Sequence, residues 1–238
     1  MKPLLLLVLL FLSSCHQVFI ETPQPSDAKS LTKIPKALRG DWIIDSWFSE
    51  PGGKQSYYTI QKKRTTFYKE MKIGVKELNS TSFQIRNEKI YDMSKDSLTG
   101  HSFTQKEDSI CFFILKSEEL DFHADNQLKS TGKYFITNNK NENNWWEMNL
   151  IEYDQDKFSI RGMSIESADL ASQLGILVKE EITEREKGGK IFDSPKKYLQ
   201  GDFSSSDLNR FVELGGFPDT LAIFTRVNNL KKRLNYNE

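Results

Sequence analysis

The sequence predicts a mainly β protein, an antiparallel meander that forms a barrel or a sandwich, with two short helices in the C-terminal third. Apolar and aromatic residues recur with a period of two in many short segments, as half-buried strands require. Polar turn sequences separate these segments at fairly regular intervals. Helical periodicity is confined to two stretches near the C-terminus. These patterns fit a barrel and a sandwich equally well.

The predicted strands are rich in aromatic and β-branched residues, which strands favour. A Pro-Gly-Gly turn separates the first two strands, and polar turns separate several of the others. A further hairpin is expected to turn at Lys187-Gly188-Gly189, with residues 176–186 pairing with residues 190–195. The remaining expected strands are residues 41–48, 56–61, 65–73, 82–86, 109–115, 133–139, 145–153, 158–165 and 220–227.

Two segments have the helical period instead. Residues 164–175 place two leucines one turn apart and end in a glycine. Residues 205–216 carry an apolar stripe, with Ser206 expected to cap the helix, Asp207 at its positive end and Gly215 at its stop. Leu208, Phe211 and Val212 line one face of this second segment.

The N-terminus has the three-part layout of a secretory signal. Lys2 supplies a positive charge, residues 4–12 form a nine-residue apolar run, and Ser13-Ser14 follow. The run is too short for a membrane span, which needs roughly 20 apolar residues. Leu12-Ser13-Ser14-Cys15 resembles the lipobox of bacterial lipoproteins. The resemblance implies cleavage after residue 14 and a lipid on the Cys15 sulfur.

This resemblance implies a bacterial cell-envelope protein whose partner is the membrane, reached through the acyl chains on Cys15. Because His16 rather than Asp follows the cysteine, the outer membrane is the expected location. Prolines and small polar residues then predict a lipidated, flexible tether over residues 15–30. The expected domain order is a signal peptide (1–14), this tether, one β-rich globular domain (31–228) and a loose tail (229–238).

Composition and motifs argue against nucleic-acid binding and against several kinds of catalysis. The 238 residues contain 33 Lys and Arg against 33 Asp and Glu, so the chain lacks the basic excess typical of nucleic-acid binding. Cys111 lies in an apolar strand segment and is expected to be a buried, inert thiol. No phosphate-binding glycine loop or nucleophile elbow is found. We identify no catalytic residue and expect no cofactor.

Gly40-Asp41-Trp42 opens the first predicted strand. These residues resemble the Gly-x-Trp that begins the first strand of lipocalins and related calycins. The resemblance implies that a basic residue in the last strand, here Arg226, packs over Trp42 and that the protein encloses a cavity for a small apolar ligand. A tryptophan that simply fills a β core is the alternative. The rest of the body resembles uncharacterised β-rich envelope lipoproteins, which implies no activity.

Asp121, His123 and Asp125 are spaced two residues apart along the chain. On a strand they would point to one side, and their oxygen and nitrogen atoms would suit Zn or Mn. No fourth ligand is identifiable, and the surrounding sequence is typical of an exposed connection. Trp145 and Trp146 would face opposite sides of their strand, one into the core and one towards a contact surface.

Three functions remain open from the sequence. The first is a non-catalytic envelope lipoprotein that binds a ligand or contacts envelope proteins. The second is a lipocalin-like carrier of a small apolar ligand. The third is a metal-assisted hydrolase of envelope polymers.

Overall fold

The computed structural model describes residues 18–45, 56–94, 99–120, 122, 125–187, 190–230 and 234. These residues contain fifteen strands, two α-helices and two 3-10 helices. The strands are β1 (Val18–Ile20), β2 (Gly40–Asp45), β3 (Ser56–Ile60), β4 (Arg64–Gly74), β5 (Phe83–Arg86), β6 (Lys89–Asp92), β7 (Phe103–Lys106), β8 (Ser109–Glu119), β9 (Asn126–Ser130), β10 (Phe135–Lys140), β11 (Trp146–Asp154), β12 (Lys157–Gly162), β13 (Leu177–Lys187), β14 (Lys190–Gln200) and β15 (Asp219–Arg226). The α-helices are α1 (Ile165–Gln173) and α2 (Ser205–Glu213), and the 3-10 helices are Lys36–Leu38 and Val75–Ser80.

Thirteen of these strands form one sheet. Its main path is β13-β14-β1-β11-β12-β15-β2-β3-β4-β8-β7, and β10 pairs with both β11 and β9. Among the described pairs, β1 and β14 run parallel and the others antiparallel. The predicted fold class is confirmed: the protein is mainly β with two helices in its C-terminal part. The sheet is not closed as a barrel, and a sandwich-like arrangement is compatible with it.

Successive side chains of β11 belong to two different hydrophobic cores. Met148 and Leu150 belong to a core that also contains Leu208 and Phe211 of α2. Ile151 belongs to a different core. Because successive side chains of a strand point to opposite faces, β11 forms part of both cores. We call them the helix-side core and the Trp42-side core.

The Trp42-side core is built around stacked and edge-on aromatic rings. Trp42 meets the ring of Phe158 edge-on, with centroids 4.7 Å apart. Phe158 in turn stacks on Phe224 at 4.3 Å, and Tyr58 meets Phe224 edge-on at 5.6 Å. Such ring geometries stabilise a core by about 0.5–1.5 kcal/mol per pair beyond area burial.

Residues 31–34 lie outside the strands and are attached to two parts of the sheet by backbone hydrogen bonds. Leu31 N donates to the carbonyl of Leu128 on β9 over 2.7 Å, and Ile34 N donates to the carbonyl of Lys62 over 2.9 Å. Lys62 lies in the turn between β3 and β4. Residues 31–34 thus bridge β9 to that turn, and together with the strands they enclose the space beneath Trp42.

The flexible tether expected over residues 15–30 is wrong for residues 18–30. Strand β1 lies between β14 and β11, and Val18 and Ile20 are 1% and 0% exposed in the helix-side core. Gln24 N donates to Asn138 Oδ1 and Asn138 Nδ2 donates to the Gln24 carbonyl, both over 2.7 Å. Lys129 Nζ donates to the carbonyls of the two prolines beside Gln24.

This polar segment packs on the sheet because side chains of other strands donate hydrogen bonds to its backbone carbonyls. Proline and polar residues cannot build a core themselves, but their carbonyls accept bonds from Asn138 and Lys129. Three apolar residues at 18–20 then suffice to add a strand to an existing sheet. Residues 15–17 lie outside the described residues.

The expected loose tail is also wrong for two of its residues. Leu230 and Leu234 are buried and share a small apolar cluster with Tyr57. Leu234 N donates to the Leu230 carbonyl over 2.9 Å. Residues 231–233 and 235–238 lie outside the described residues.

Both predicted helices are confirmed, with one correction at a cap. Ser204, rather than Ser206, caps α2, because its Oγ accepts from Asp207 N over 3.1 Å. Asp207 Oδ2 accepts in return from Ser204 N, which completes a capping box. Gly215 has φ +89° just past the end of α2.

The predicted pairing of residues 176–186 with residues 190–195 is confirmed, since β13 and β14 pair in antiparallel fashion with Lys187 opposite Lys190. Residues 188 and 189 lie outside the described residues. Four short strands, β1, β6, β7 and β9, were not expected. The sequences of β7 and β9, Phe-Thr-Gln-Lys and Asn-Gln-Leu-Lys-Ser, lack the apolar alternation that indicates a strand. Residues 46–48 of the first predicted strand lie outside the described residues.

Candidate ligand-binding site

A cavity of about 70 Å³ lies within the Trp42-side core. Eleven of its thirteen lining residues are aliphatic or aromatic, and the other two are Thr65 and Thr137. The rings of Tyr58, Phe158 and Phe224 form part of the wall. Pockets for drug-sized ligands measure roughly 300–1,000 Å³, so this cavity suits a small apolar molecule or a short segment of an acyl chain.

Trp42 closes the core beside this cavity, and Arg226 covers the outer face of its ring. Trp42 is fully buried, and its Nε1 donates to the Leu38 carbonyl over 3.1 Å. The Arg226 guanidinium carbon stands 4.2 Å from the Trp42 ring centroid. Arg226 also donates to the carbonyls of Arg39 and Ala37. The predicted packing of Arg226 over Trp42 is confirmed.

Gly40 is required by this arrangement. Its φ is +134°, which side-chain-bearing residues rarely adopt, and a Cβ at this position would stand 2.5 Å from Arg226 Nη1. The glycine therefore lets the guanidinium approach the chain closely enough to lie over Trp42. The Gly-x-Trp pattern thus has a local physical cause in this protein.

Tyr58 contributes a buried hydroxyl-bearing ring to the wall. Burial, and secondarily the negative charge of Glu118, raises the pKa of Tyr58 well above its ordinary value. The phenol therefore stays protonated at neutral pH. Among the described lining residues, no carboxylate, imidazole or thiol is present.

Four polar side chains continue the sheet face that lines the cavity. Thr137 of β10 pairs with Asn149 of β11, and Asn139 pairs with Glu147. Ile151, two residues beyond Asn149 on the same face, lines the cavity, as does Thr137 itself. We call Thr137, Asn139, Glu147 and Asn149 the polar quartet.

The polar quartet is unusual because three of its buried atoms lack hydrogen-bond partners. These atoms are Thr137 Oγ1, Asn139 Nδ2 and Asn149 Oδ1. Asn149 is only 1% exposed, and most buried polar groups in proteins are hydrogen-bonded. Burial also raises the pKa of Glu147 to about 7. The quartet therefore presents unused donors and acceptors beside an apolar space.

Sequence reasoning missed the quartet, although a signal was present. In residues 145–153, Glu147 and Asn149 alternate with apolar Met148 and Leu150, as on a strand with one polar face. That face is normally exposed to water. Nothing in the sequence showed that this face would continue the Trp42-side core, with Asn149 buried and the other three side chains half-buried.

Of the two predicted tryptophan candidates, Trp146 begins β11 and Trp145 immediately precedes the strand. Trp146 is buried in the helix-side core, with Lys140 Nζ 5.9 Å from its ring centroid. Trp145 is half-buried, and its ring centroid is 4.6 Å from that of Tyr198. Trp145 therefore packs on a neighbouring strand rather than standing free as a contact residue.

The predicted metal triplet is only partly placed. Asp121 and His123 lie outside the described residues, and Asp125 is exposed in a turn that precedes β9. Within the described part of the chain, no group of three or more His, Cys, Asp or Glu side chains is arranged to hold a metal ion. Cys15 also lies outside the described residues. Cys111 is half-buried rather than fully buried.

No helix in the described ranges is both long and apolar enough to cross a membrane. Comparisons with protein-family models, with curated proteins and with solved structures find no match to this chain.

Proposed function

We propose that this protein is a non-catalytic binding protein of the bacterial cell envelope that holds a small apolar ligand in the cavity beside Trp42. The observation that carries this proposal is the cavity itself, formed in the folded sheet and lined almost wholly by aliphatic and aromatic side chains. An apolar ligand gains about 0.8 kcal/mol for each methylene group that leaves water. Four or five buried carbons therefore give a useful affinity without any polar contact.

Packing around the cavity supports a stable site. Arg226 fixes Trp42 from outside, and Trp42 fixes Phe158, which lines the cavity. Ile34 lines the cavity, and residues 31–34 are held to β9 and to the β3–β4 turn by backbone hydrogen bonds. Contacts that hold the cavity wall in place reduce the reorganisation that binding would cost.

In this proposal the lipid on Cys15 anchors the protein, and His16 directs it to the outer membrane. Packing of β1 into the sheet changes how far the domain stands from the bilayer. Two residues separate Cys15 from Val18, so the connecting chain reaches at most about 10 Å. The end of the sheet at which β1 begins would therefore lie near the membrane surface, where apolar ligands concentrate.

A cavity-filling variant tests the binding function. Ile160 lines the cavity and is 6% exposed, and Ile160→Phe would add three carbon atoms to that wall. The matched control is Ile182→Phe, the same substitution at a position that is 66% exposed. The soluble form, residues 16–238, is titrated with n-pentane and binding is followed by saturation-transfer NMR.

Wild type and the Ile182→Phe control are expected to bind pentane alike, while Ile160→Phe is expected to lose at least about tenfold in affinity, a difference of 1.4 kcal/mol. Equal binding by all three proteins would place the ligand elsewhere. Absence of pentane binding to the folded wild type would refute the proposed function.

A further inference from the structure

The polar quartet is continuous with the cavity. Thr137 belongs to both, and its directly opposed neighbour on β11 is Asn149. Directly opposed residues of an antiparallel pair have Cβ atoms about 4.5–5.5 Å apart. One residue pair further along, Asn139 faces Glu147. A molecule with its apolar part in the cavity therefore reaches the quartet with its other end.

Strand β10 also contains a buried asparagine, Asn138, whose side-chain hydrogen-bonding atoms both have partners. Asn138 is fully buried on the opposite face, and both its Oδ1 and its Nδ2 are hydrogen-bonded to the backbone of Gln24. Asn149 is as deeply buried, yet its Oδ1 has no partner, and Asn139 Nδ2 has none either. The contrast separates a structural asparagine from side chains with hydrogen bonds left to make.

The unused atoms define the complementary group. Asn149 Oδ1 needs a donor, Asn139 Nδ2 needs an acceptor, and the Thr137 hydroxyl serves as either. A single ligand hydroxyl both donates and accepts, so it satisfies both kinds of atom at once. An anionic head group is disfavoured because the partly buried Glu147 carboxyl beside Asn139 would repel it when ionised.

We propose that the cavity and the polar quartet together form a site for a neutral, hydroxyl-headed amphiphile. The apolar chain lies among Ile151, Phe158 and Ile160, and the hydroxyl lies between Thr137, Asn139 and Asn149. This inference rests on the proposed function, because it identifies the chemical class of ligand that the cavity takes.

The test compares two probes that differ by one hydroxyl, n-pentane and 1-pentanol. In a wholly apolar cavity the alcohol binds more weakly than the alkane, because its hydroxyl loses its hydrogen bonds to water. In the site proposed here the quartet replaces those bonds. Wild-type protein is therefore expected to bind 1-pentanol at least as tightly as n-pentane.

Two variants remove the quartet's contribution while keeping side-chain size. Asn149→Leu deletes the deeply buried acceptor, and Thr137→Val deletes a buried hydroxyl without changing the shape. Each is expected to weaken 1-pentanol binding by about tenfold, the equivalent of one hydrogen bond to a neutral partner, and to leave pentane binding unchanged. Asn143→Leu, at an exposed turn position, is the matched control.

Thr137→Val keeps the test decisive even if Asn149→Leu does not fold, because it only removes an unpartnered polar group. If pentane binds wild type and 1-pentanol binds much more weakly, the quartet is not a head-group site, although the proposed function survives. If 1-pentanol binds all folded variants equally, buried water alone occupies the quartet and the inference is overturned. If neither probe binds, both proposals fail.

Discussion

Glu147 should make the protein lose stability as pH rises through neutrality, and Glu147→Gln should remove that loss. Burial raises the pKa of Glu147 to about 7 from the ordinary value of 4.5. The folded state therefore holds a proton that the unfolded state has already released between these two pH values. Since the unfolded state binds fewer protons there, the free energy of unfolding falls as pH increases.

The magnitude follows from the two pKa values. A separation from 4.5 to about 7 corresponds to up to about 3 kcal/mol of destabilisation, complete only above the folded-state pKa. The loss develops between roughly pH 4.5 and pH 8, and none is present at lower pH, where both states are protonated. Glutamine is uncharged throughout, so the variant retains its stability over this range.

The assay is urea unfolding of residues 16–238 at intervals from pH 5 to pH 8, for wild type, Glu147→Gln and a control. Glu142→Gln, in the exposed turn before β11, is the matched control. The stability difference between Glu147→Gln and wild type should grow by about 2.5 kcal/mol in favour of the variant from pH 5 to pH 8, because part of the full loss lies outside this range. Parallel pH curves for the two proteins would refute the claim that Glu147 is buried without a compensating charge.

Three further predictions concern the packing around the site. Ile20→Ala should destabilise the protein by about 2–4 kcal/mol in urea unfolding, because Ile20 is fully buried, whereas no change would restore the tether interpretation. Arg226→Ala should cost about 2 kcal/mol and change Trp42 fluorescence, since two carbonyls and the ring lose their cationic partner; an unaltered spectrum would argue against the stacking. Gly40→Ala should cost at least about 1 kcal/mol because its φ is positive and its Cβ would meet Arg226, and a wild-type thermal midpoint would contradict that.

Much of the fold could be predicted because its strands carry a clear period of two. The hairpin at residues 187–189 followed from glycines between apolar alternations, and both helices followed from leucine spacing and terminal glycines. Arg226 over Trp42 was predicted from a three-residue resemblance, and the contact is present. The hairpin and the helices depend on residues close together in the sequence, and the contact between Arg226 and Trp42 depends on one pair of residues.

The elements that sequence reasoning missed depend on neighbours distant in the chain. Strand β1 has three residues, and it exists because β14 and β11 accept it between them. Lys129 would ordinarily be solvated, but it is buried and donates to the carbonyls of Pro23 and Pro25. Composition correctly described residues 18–30 as unable to form a core alone, but it could not show that other strands provide one.

Only part of the candidate site could be predicted, because the polar quartet depends on the pairing of two strands. Trp42 and an apolar cavity were expected together, and both are found in one core. The polar quartet required the register between β10 and β11, which places Thr137 opposite Asn149. Neither residue indicates a binding site when read along its own strand.

Native mass spectrometry of the exported domain tests the central claim most directly. The domain comprising residues 16–238, exported behind a cleavable signal peptide that leaves no lipid and purified without detergent, is compared with the same form carrying Ile160→Phe. We expect a reproducible mass excess from a neutral organic ligand on the first protein, absent from the second and lost on unfolding. A bare mass for both folded proteins would contradict the claim that this cavity holds a ligand.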